Sequence, residues 1–428
     1  MYLKSTLENG IRVVTKSLPA VRSIAMGVLI DAGIADEPEH KNGLAHMAEH
    51  LMFRGTSNRD FMQIARLMDE AGGQMGGFIT RDYTCYTATV LDHYRTYALE
   101  LLGDILLNSI FSETALEREK NTIVSEIESG LDLPDQRADM LLKAHIWDGH
   151  YLGKSINGQP KVVRELTRED IIYFVHSQYL PDRIIIAAAG SVDHQDFVSQ
   201  VRDSFWRMMG QCGPRQSALP KFYSGVTLEH VPFSQVYFSI GFRAYPYAHP
   251  DRYAVHIFNK ILGGGISSRL FRRIREEQGL LYDIQSEYQA YRDDGLITVE
   301  GSTAPEYFPE VMKLMLTEIW KALTGEDPIH EEEIWKAKMQ TRGQHLISAE
   351  SSNTQMSRLA TQELYFGGHM SSEQILAGID AVDIEALERL SKNVLLNGMR
   401  GASVAVVGPP APDYYNVPMI EELLARFN

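Results

Sequence analysis

The chain has 428 residues, 44% of them hydrophobic and 23% charged, which excludes a disordered, collagenous or membrane-embedded protein and sets two soluble domains as the first expectation. Lys and Arg number 41 against 56 Asp and Glu, a formal net charge of −15; with no basic stripe to offset it, nucleic acid is not an expected partner. Two cysteines, Cys85 and Cys212, form no CxxC and no disulfide framework. The first ten residues contain no apolar signal core. The longest apolar run, Ile184–Ala189, suits a buried strand and is far short of the ~20 residues of a membrane helix. A cytoplasmic protein without membrane attachment is expected.

Along the chain, Gly10–Thr15 and Ser23–Ile30 read as strands. An acidic loop over Asp36–His40 leads into Gly43–Phe53, rich in helix formers. Gly55–Asn58 ends that helix, and Asn58 is the expected cap of the next, which runs to Gly72–Gly73. Thr80–Val90 is a Thr/Tyr-rich strand preceded by hairpin chemistry. Asp92 is placed to cap a helix through Leu107, and Ser112 another from Glu113 to about Gly130; a further helical stretch follows through Trp147. Val226–His230 and Gln235–Phe242 are again strands, followed by a Pro/His loop and a helix from Arg252. An offset of about 210 residues superposes strand, strand, loop and helix, a weak internal repeat. The polar stretch Gly210–Pro220, with its glycines and prolines, is the natural linker. The expected fold is α+β: two homologous halves of about 210 residues, each a mainly antiparallel sheet packed with helices. The corresponding domains are 1–212 and 223–428, joined by a linker over 213–222.

His46-Met-Ala-Glu49-His50 carries the chemistry. Positions four apart share a helix face, so both imidazoles can reach one metal ion. Glu49 projects beside the same point, placed to take a proton from water rather than to act as a ligand. The apolar flanks Leu44, Ala45, Met47, Leu51, Met52 and Phe53 argue against a solvated helix with two unrelated histidines. A catalytic zinc takes three protein ligands, so a third donor is needed. The acidic helix Glu113–Gly130 supplies candidates. Glu119 and Glu126 lie seven apart on one stripe beside Leu116, Ile123 and Ile127, whereas Glu113, Glu117 and Glu128 read as solvated. Spacing alone does not choose between Glu119 and Glu126.

Gly43-Leu-Ala-His-Met-Ala-Glu-His-Leu-Met-Phe-Arg-Gly-Thr56 closely resembles the zinc-site segment of the pitrilysin/insulinase family of metallopeptidases, to which mitochondrial processing peptidase and its bacterial relatives belong. The likeness continues through Tyr151–Gly158 and into the second half, so it covers nearly the whole chain and implies the family's fold. It implies as third ligand a Glu about 76 positions after the second His, which here is Glu126, with Glu119 as the supporting carboxylate. The second half repeats the order of elements but offers only His256 near the matching position. Its Leu262–Phe271 stretch lacks Gly-Lys-Ser/Thr and matches the family's Gly-rich turn and helix rather than a phosphate loop. That helix is expected to end at Gly279, with Tyr282 opening the next strand. Arg275 and Tyr282 match the family's Arg/Tyr pair, which holds substrate backbone and helps stabilise the tetrahedral intermediate. Read without the family, they are an Arg on a basic helix face and a packed strand Tyr. One stretch departs from the pattern: Gly76-Gly77 replaces the usual Asn-Ala of the substrate-pairing edge strand, removing the Asn donor.

The resemblance implies a zinc endopeptidase with one Zn²⁺ per chain, acting on short or unfolded peptides inside a chamber formed by two copies. The acidic balance favours cationic peptides. The rival expectation is a non-catalytic or hetero-oligomeric partner subunit, since some members keep the fold and lose the chemistry. This chain holds both the zinc set and the Arg/Tyr pair, which favours a self-sufficient homodimer.

Overall fold

A computed structural model describes every residue except Met1, Pro214, Gln216, Ser217 and Asn428. Three of these fall in the expected linker, and the reading of those positions lies outside the described residues. The first half opens with β1 (Tyr2–Thr6), β2 (Arg12–Ser17) and β3 (Ser23–Ile30), then α1 (Leu44–Met52) and α2 (Phe61–Glu70). The hairpin β4 (Gln74–Ile79) and β5 (Thr84–Leu91) follows, then α3 (Arg95–Asn108), α4 (Glu113–Leu131) and α5 (Pro134–Ile146). It closes with α6 (Pro160–Glu165), α7 (Arg168–Gln178), β6 (Ile184–Gly190) and α8 (His194–Phe205). The second half contains β7 (Gly225–His230), β8 (Val236–Ala244), α9 (Arg252–Leu262), β9 (Ile284–Ala290) and β10 (Gly295–Thr303). Four helices come next: α10 (Phe308–Thr324), α11 (Glu331–Ser348), α12 (Ser352–Phe366) and α13 (Ser372–Asp380). The half ends with α14 (Ile384–Leu390), α15 (Leu396–Arg400), β11 (Ser403–Gly408) and α16 (Val417–Ala425).

The first sheet has the order β1-β2-β6-β3-β5-β4 and the second β7-β11-β8-β10-β9. Without β1, the first repeats in the second strand for strand. In each, the last strand in chain order lies parallel to the first of the repeat, β2 with β6 and β7 with β11, and the remaining pairs are antiparallel. The α+β class and the internal repeat are therefore both present.

The compact units are not contiguous in sequence, unlike the halves 1–212 and 223–428. One gathers residues 1–128, 154–216 and 346–370; the other gathers 129–153, 217–345 and 371–428. Each half lends a helix to the other's sheet. Met356, Leu359 and Ala360 of α12 pack with Ala25, Leu29, Ile185 and Ala187 of the first sheet. Leu142 and Ile146 of α5 pack with Leu296 and Ala405 of the second. An amphipathic helix shows that one face is buried but not which sheet buries it, so sequence reading cannot see this exchange.

Glycines on the corresponding strands β3 and β8 admit the exchanged helices. A Cβ on Gly27 of β3 would stand 2.4 Å from Met356 Sδ, and one on Gly241 of β8 would stand 2.7 Å from Ile146 Cδ1. Gly27→Val is expected to lower stability by about 1–3 kcal/mol, the usual range for overpacking a filled core. Urea unfolding measures it, and a wild-type midpoint would mean that α12 does not cover β3.

Several local expectations shift by a few residues. Asn58 does not cap α2; its Nδ2 donates to Asp104 at 2.6 Å, while Asp60 forms the reciprocal cap with Gln63, each bond 2.8 Å. Thr80 does not begin a strand, because its Oγ1 accepts the turn amides of Asp82 and Tyr83 at 3.2 and 3.0 Å, ending β4 there. Asp92 accepts from Ser191 Oγ at 3.2 Å and opens a short 3₁₀ turn before α3. Ser112 does cap α4, its Oγ accepting from the Ala115 amide at 3.2 Å. Tyr282 precedes β9 by two residues rather than opening it.

Candidate metal centre

The first turn of α1 is built from the loop ahead of it. Gly43 takes φ +101° as the residue before the helix, and a side chain there would meet Asn157 O and Gly158 Cα at 3.1 Å. The Tyr151–Gly158 stretch noted in the sequence thus ends against the start of the helix. Glu37 occupies the helix N-terminus: its Oε1 accepts from the amides of Ala45 at 2.8 Å and Gly43 at 3.1 Å, and Oε2 accepts from Asn42 Nδ2 at 2.9 Å. A carboxylate suits the orphan amides and positive end of a helix. Burial nevertheless pushes the Glu37 carboxyl up to about 7, only partly offset by these bonds. Leu44, Ala45, Met47, Ala48, Leu51 and Met52 are each at most 1% exposed, so the helix is locked in the core as its apolar flanks led us to expect.

This rigid helix aims three side chains at one point. His46 Nε2 and His50 Nε2 each lie 3.8 Å from Glu126 Oε2 on α4. The two imidazoles cross edge to face with centroids 4.6 Å apart. Glu49 Oε2 lies 3.9 Å from His50 Nε2. On its other nitrogen, His50 Nδ1 donates to Glu119 Oε2 at 3.0 Å, and Glu119 Oε1 faces Arg54 Nε at 2.8 Å. This bond assigns the His50 proton to Nδ1 and leaves the Nε2 lone pair directed toward Glu126.

The two carboxylates left open by spacing now differ in place. Glu119 is 4% exposed and bonded to His50, whereas Glu126 is 43% exposed and faces both Nε2 atoms. Glu126 is therefore not turned to the interior edge as its stripe implied; it stands at the open side of the centre. Glu117 is solvent-facing and pairs with Lys120 at 2.8 Å, as its position predicted.

Burial, with His50 nearby, pushes His46 down to about 4, so this imidazole is neutral near pH 7. Burial would also lower His50, but the Glu119 bond and the charges of Glu49 and Glu126 raise it on balance. Glu49 is raised, chiefly by burial and then by Glu126 and Glu119 against the opposing pull of His50. Glu119 is lowered: its burial is outweighed by the bonds and charges of His50 and Arg54.

Among the described residues, His46, His50 and Glu126 form the one set of His, Cys, Asp or Glu ligand atoms lying within 4.8 Å of one another. Two imidazole nitrogens and one carboxylate oxygen match the donors of a catalytic zinc with a position left for water. Three carboxylates around two imidazoles, with Arg54 the nearby cation, leave negative charge that a dication offsets. The residues fit the ion.

In the second half, α9 carries His256, Asn259 and Lys260 where α1 carries His46, Glu49 and His50. Arg275 and Tyr282 do meet, with the guanidinium carbon 5.7 Å from the Tyr282 ring and 4.5 Å from the Phe271 ring. Tyr282 is 79% exposed. Arg269 is consumed by Glu333 at 2.7 Å, and Arg273 by Asp327 at 2.6 Å and Glu318 at 3.3 Å. Of these, Arg275 pairs among the described residues only with its neighbour Glu276, at 3.5 Å. The expected end of that helix at Gly279 is present, with φ +65° and its amide donating to Arg275 O at 3.0 Å.

The order His46-x-x-Glu49-His50, with Glu126 as the third donor, is the H-E-x-x-H arrangement of zinc-dependent hydrolases written in reverse. Residues 12–159 match the family described as insulinase (peptidase family M16), and residues 165–341 match the peptidase M16 inactive domain. The uncharacterized zinc protease YmxG of Bacillus subtilis is 32% identical over 92% of this chain and 96% of its own length. An uncharacterized zinc protease of Mycobacterium leprae is 35% identical over 95% of this chain and 92% of its own. The chain belongs to peptidase family M16. Its fold is shared with a protease from Helicobacter pylori, with TM-score 0.89 at 20% identity over 96% of this chain and 100% of the other. A peptidase M16 inactive domain from Pseudomonas fluorescens gives TM-score 0.88 at 18% identity, over 96% and 98%. Among the described residues no helix is long and apolar enough to cross a membrane.

Sequence reading overlooked Glu37, Arg54 and the contact between Gly77 and Glu49. Glu37 was visible only as one acid in an acidic loop; its reach to Gly43 and Ala45 depends on the fold of that loop.

Proposed function

We propose that this chain is a zinc endopeptidase of short or unfolded peptides, holding one Zn²⁺ through His46, His50 and Glu126. The observation that carries the reading is the convergence of those three donors with Glu49 beside them, in a chain whose relatives are named zinc proteases. Zinc, when bound, lowers the pKa of water and polarises the scissile carbonyl. Glu49 takes the proton of the attacking water and returns it to the leaving amine, a role suited to a buried carboxyl whose pKa is raised. Glu119 orients His50 and fixes its tautomer. Substrate lies extended along β4, the edge strand of the first sheet, where unpaired backbone groups accept an added strand. The net charge of −15 favours cationic peptides, and the location is cytoplasmic.

Two copies form the working chamber, with Arg275 and Tyr282 of one facing the zinc centre of the other. The match of residues 165–341 to an inactive domain spans α9, which lacks the zinc set, and includes none of His46, His50 and Glu126. A partner-subunit role is disfavoured by the intact donors on α1 and α4. Mixing Glu49→Gln with the double variant Arg275→Ala, Tyr282→Ala tests the shared site, since each alone is expected to be nearly inactive. Random re-pairing makes about half the dimers mixed, each with one intact site, so activity should return to about a quarter of wild type. Tagged chains establish that subunits exchange. Exchange without recovery would mean that the site is completed within one chain.

A further inference from the structure

The repeat gives the two halves an equivalent place at the end of each sheet, beside the β4–β5 turn in the first and the β9–β10 turn in the second. Thr84 opens β5 opposite Ile30, and Gly295 opens β10 opposite Ala244, so Asp82 corresponds to Asp293 and Asp31 to Tyr245. A contact repeats with them: Asp82 accepts from the Tyr365 hydroxyl at 2.8 Å and Asp293 from the Tyr151 hydroxyl at 2.9 Å. In the first half this place is filled by a stretch of chain that is neither helix nor strand. The amides of Cys212 and Gly213 donate to Asp182 Oδ2 at 2.9 and 3.3 Å. The Arg215 guanidinium donates to Asp31 Oδ1 at 3.3 Å and to Asp82 O at 3.2 Å, and pairs with Asp36. In the second half the same place is a cavity of about 510 Å³, whose lining includes Arg243, Tyr245, Asp293, Asn393 and Asn397.

We propose that this cavity is a docking site for a linear segment of another protein chain, bearing a carboxylate where the segment of the first half bears the Arg215 cation. The polarity of the lining is what differs between the halves. Tyr245 stands in place of Asp31, and the stretch before β11 supplies Asn393 and Asn397 where the stretch before β6 supplies Asp182. Asp293 is common to both halves, through Asp82, and its Oδ2 is engaged by Tyr151. A guanidinium enters the lining instead. Arg243 is 42% exposed, its Nε is held by Asp294 Oδ1 at 2.9 Å, and among the described residues its two terminal amino groups have no partner. Asp294 is already occupied, since Oδ1 also accepts from the Gly295 amide at 3.0 Å and Oδ2 from Trp147 Nε1 at 3.1 Å. A guanidinium held along one edge offers the other to a carboxylate in two parallel bonds. The Asn amides donate to and accept from the backbone of the segment. As in the first half, the occupant is a tether and not a substrate, so filling the cavity leaves cleavage unchanged.

Two labelled peptides of sequence 210–218 with Cys212→Ser, one keeping Arg215 and one carrying Arg215→Glu, test this by fluorescence anisotropy. They are titrated with the full-length Glu49→Gln chain, so that neither probe is cut. The Glu peptide is expected to bind about fivefold tighter than the Arg peptide at low salt, the worth of one partly exposed ion pair. Arg243→Gln is expected to erase that difference. Asn397→Trp places a ring in the cavity from an exposed position and is expected to weaken the Glu peptide at least about tenfold. In the otherwise wild-type chain, Asn397→Trp is expected to keep its melting temperature and its peptide turnover. Should Arg243→Gln fail to fold, Asn397→Trp decides. The proposal is overturned by an Arg peptide that binds as tightly as the Glu peptide, by a preference that survives Arg243→Gln, or by the absence of saturable binding. Equal binding of the Glu peptide to Asn397→Trp also overturns it, because the peptide would then sit elsewhere. Turnover lost in Asn397→Trp at an unchanged melting temperature would make the occupant a substrate and overturn the tether.

Discussion

Glu49→Gln is expected to bind zinc at wild-type stoichiometry and to lose at least about a hundredfold in turnover, the lower range for removal of a general base. Glu49 lies on the face of α1 that carries His46 and His50, yet its nearer approach to His50 Nε2 is 3.9 Å, and the three-donor set is complete without it. Gln has the same shape, so the contact with Gly77 and the packing of α1 are preserved while the proton acceptor is lost. Metal analysis together with kcat on a fluorogenic peptide measures both halves of the expectation. Retained turnover, or loss of the metal from this variant, would contradict the assignment.

Glu126→Gln should release zinc, and with it activity, far more than any other carboxylate change on α4. Its Oε2 faces both imidazole Nε2 atoms at 3.8 Å, and an amide is a poor substitute for an anionic oxygen toward a dication. Glu119→Gln should weaken zinc by an intermediate amount, about 10–100-fold, because it acts through His50 Nδ1 and not on the ion. Glu117→Gln should leave affinity unchanged, since that side chain points to solvent and pairs with Lys120. Titration with a competing chelator ranks the three. Wild-type affinity in Glu126→Gln would make another carboxylate the third ligand.

Much of the centre was legible in the chain because its geometry is local. The four-residue spacing of His46 and His50 places both on one helix face, and the seven-residue spacing of Glu119 and Glu126 places both on one stripe of α4. The repeat was legible for the same reason, since each strand and helix signals itself within a dozen residues. What was not legible depends on contacts between segments distant in sequence. Tyr2–Thr6 is too short and too polar to read as β1 until β2 pairs with it. The exchange of α5 and α12 depends on which sheet covers an apolar face. Asp60 displaces Asn58 as a cap because Asp104 holds the Asn58 side chain. The departure at Gly76-Gly77 was visible, but its two glycines looked alike until Glu49 was found against only the second.

Cleavage of an unstructured peptide by the purified chain, before and after zinc is removed by a chelator and then restored, tests the central claim most directly. Internal peptide-bond hydrolysis should vanish with the metal and return when one equivalent of zinc per chain is added, in wild type and not in Glu49→Gln. Hydrolysis that persists in the metal-free chain, or a zinc-loaded wild type that cleaves no peptide, would contradict it.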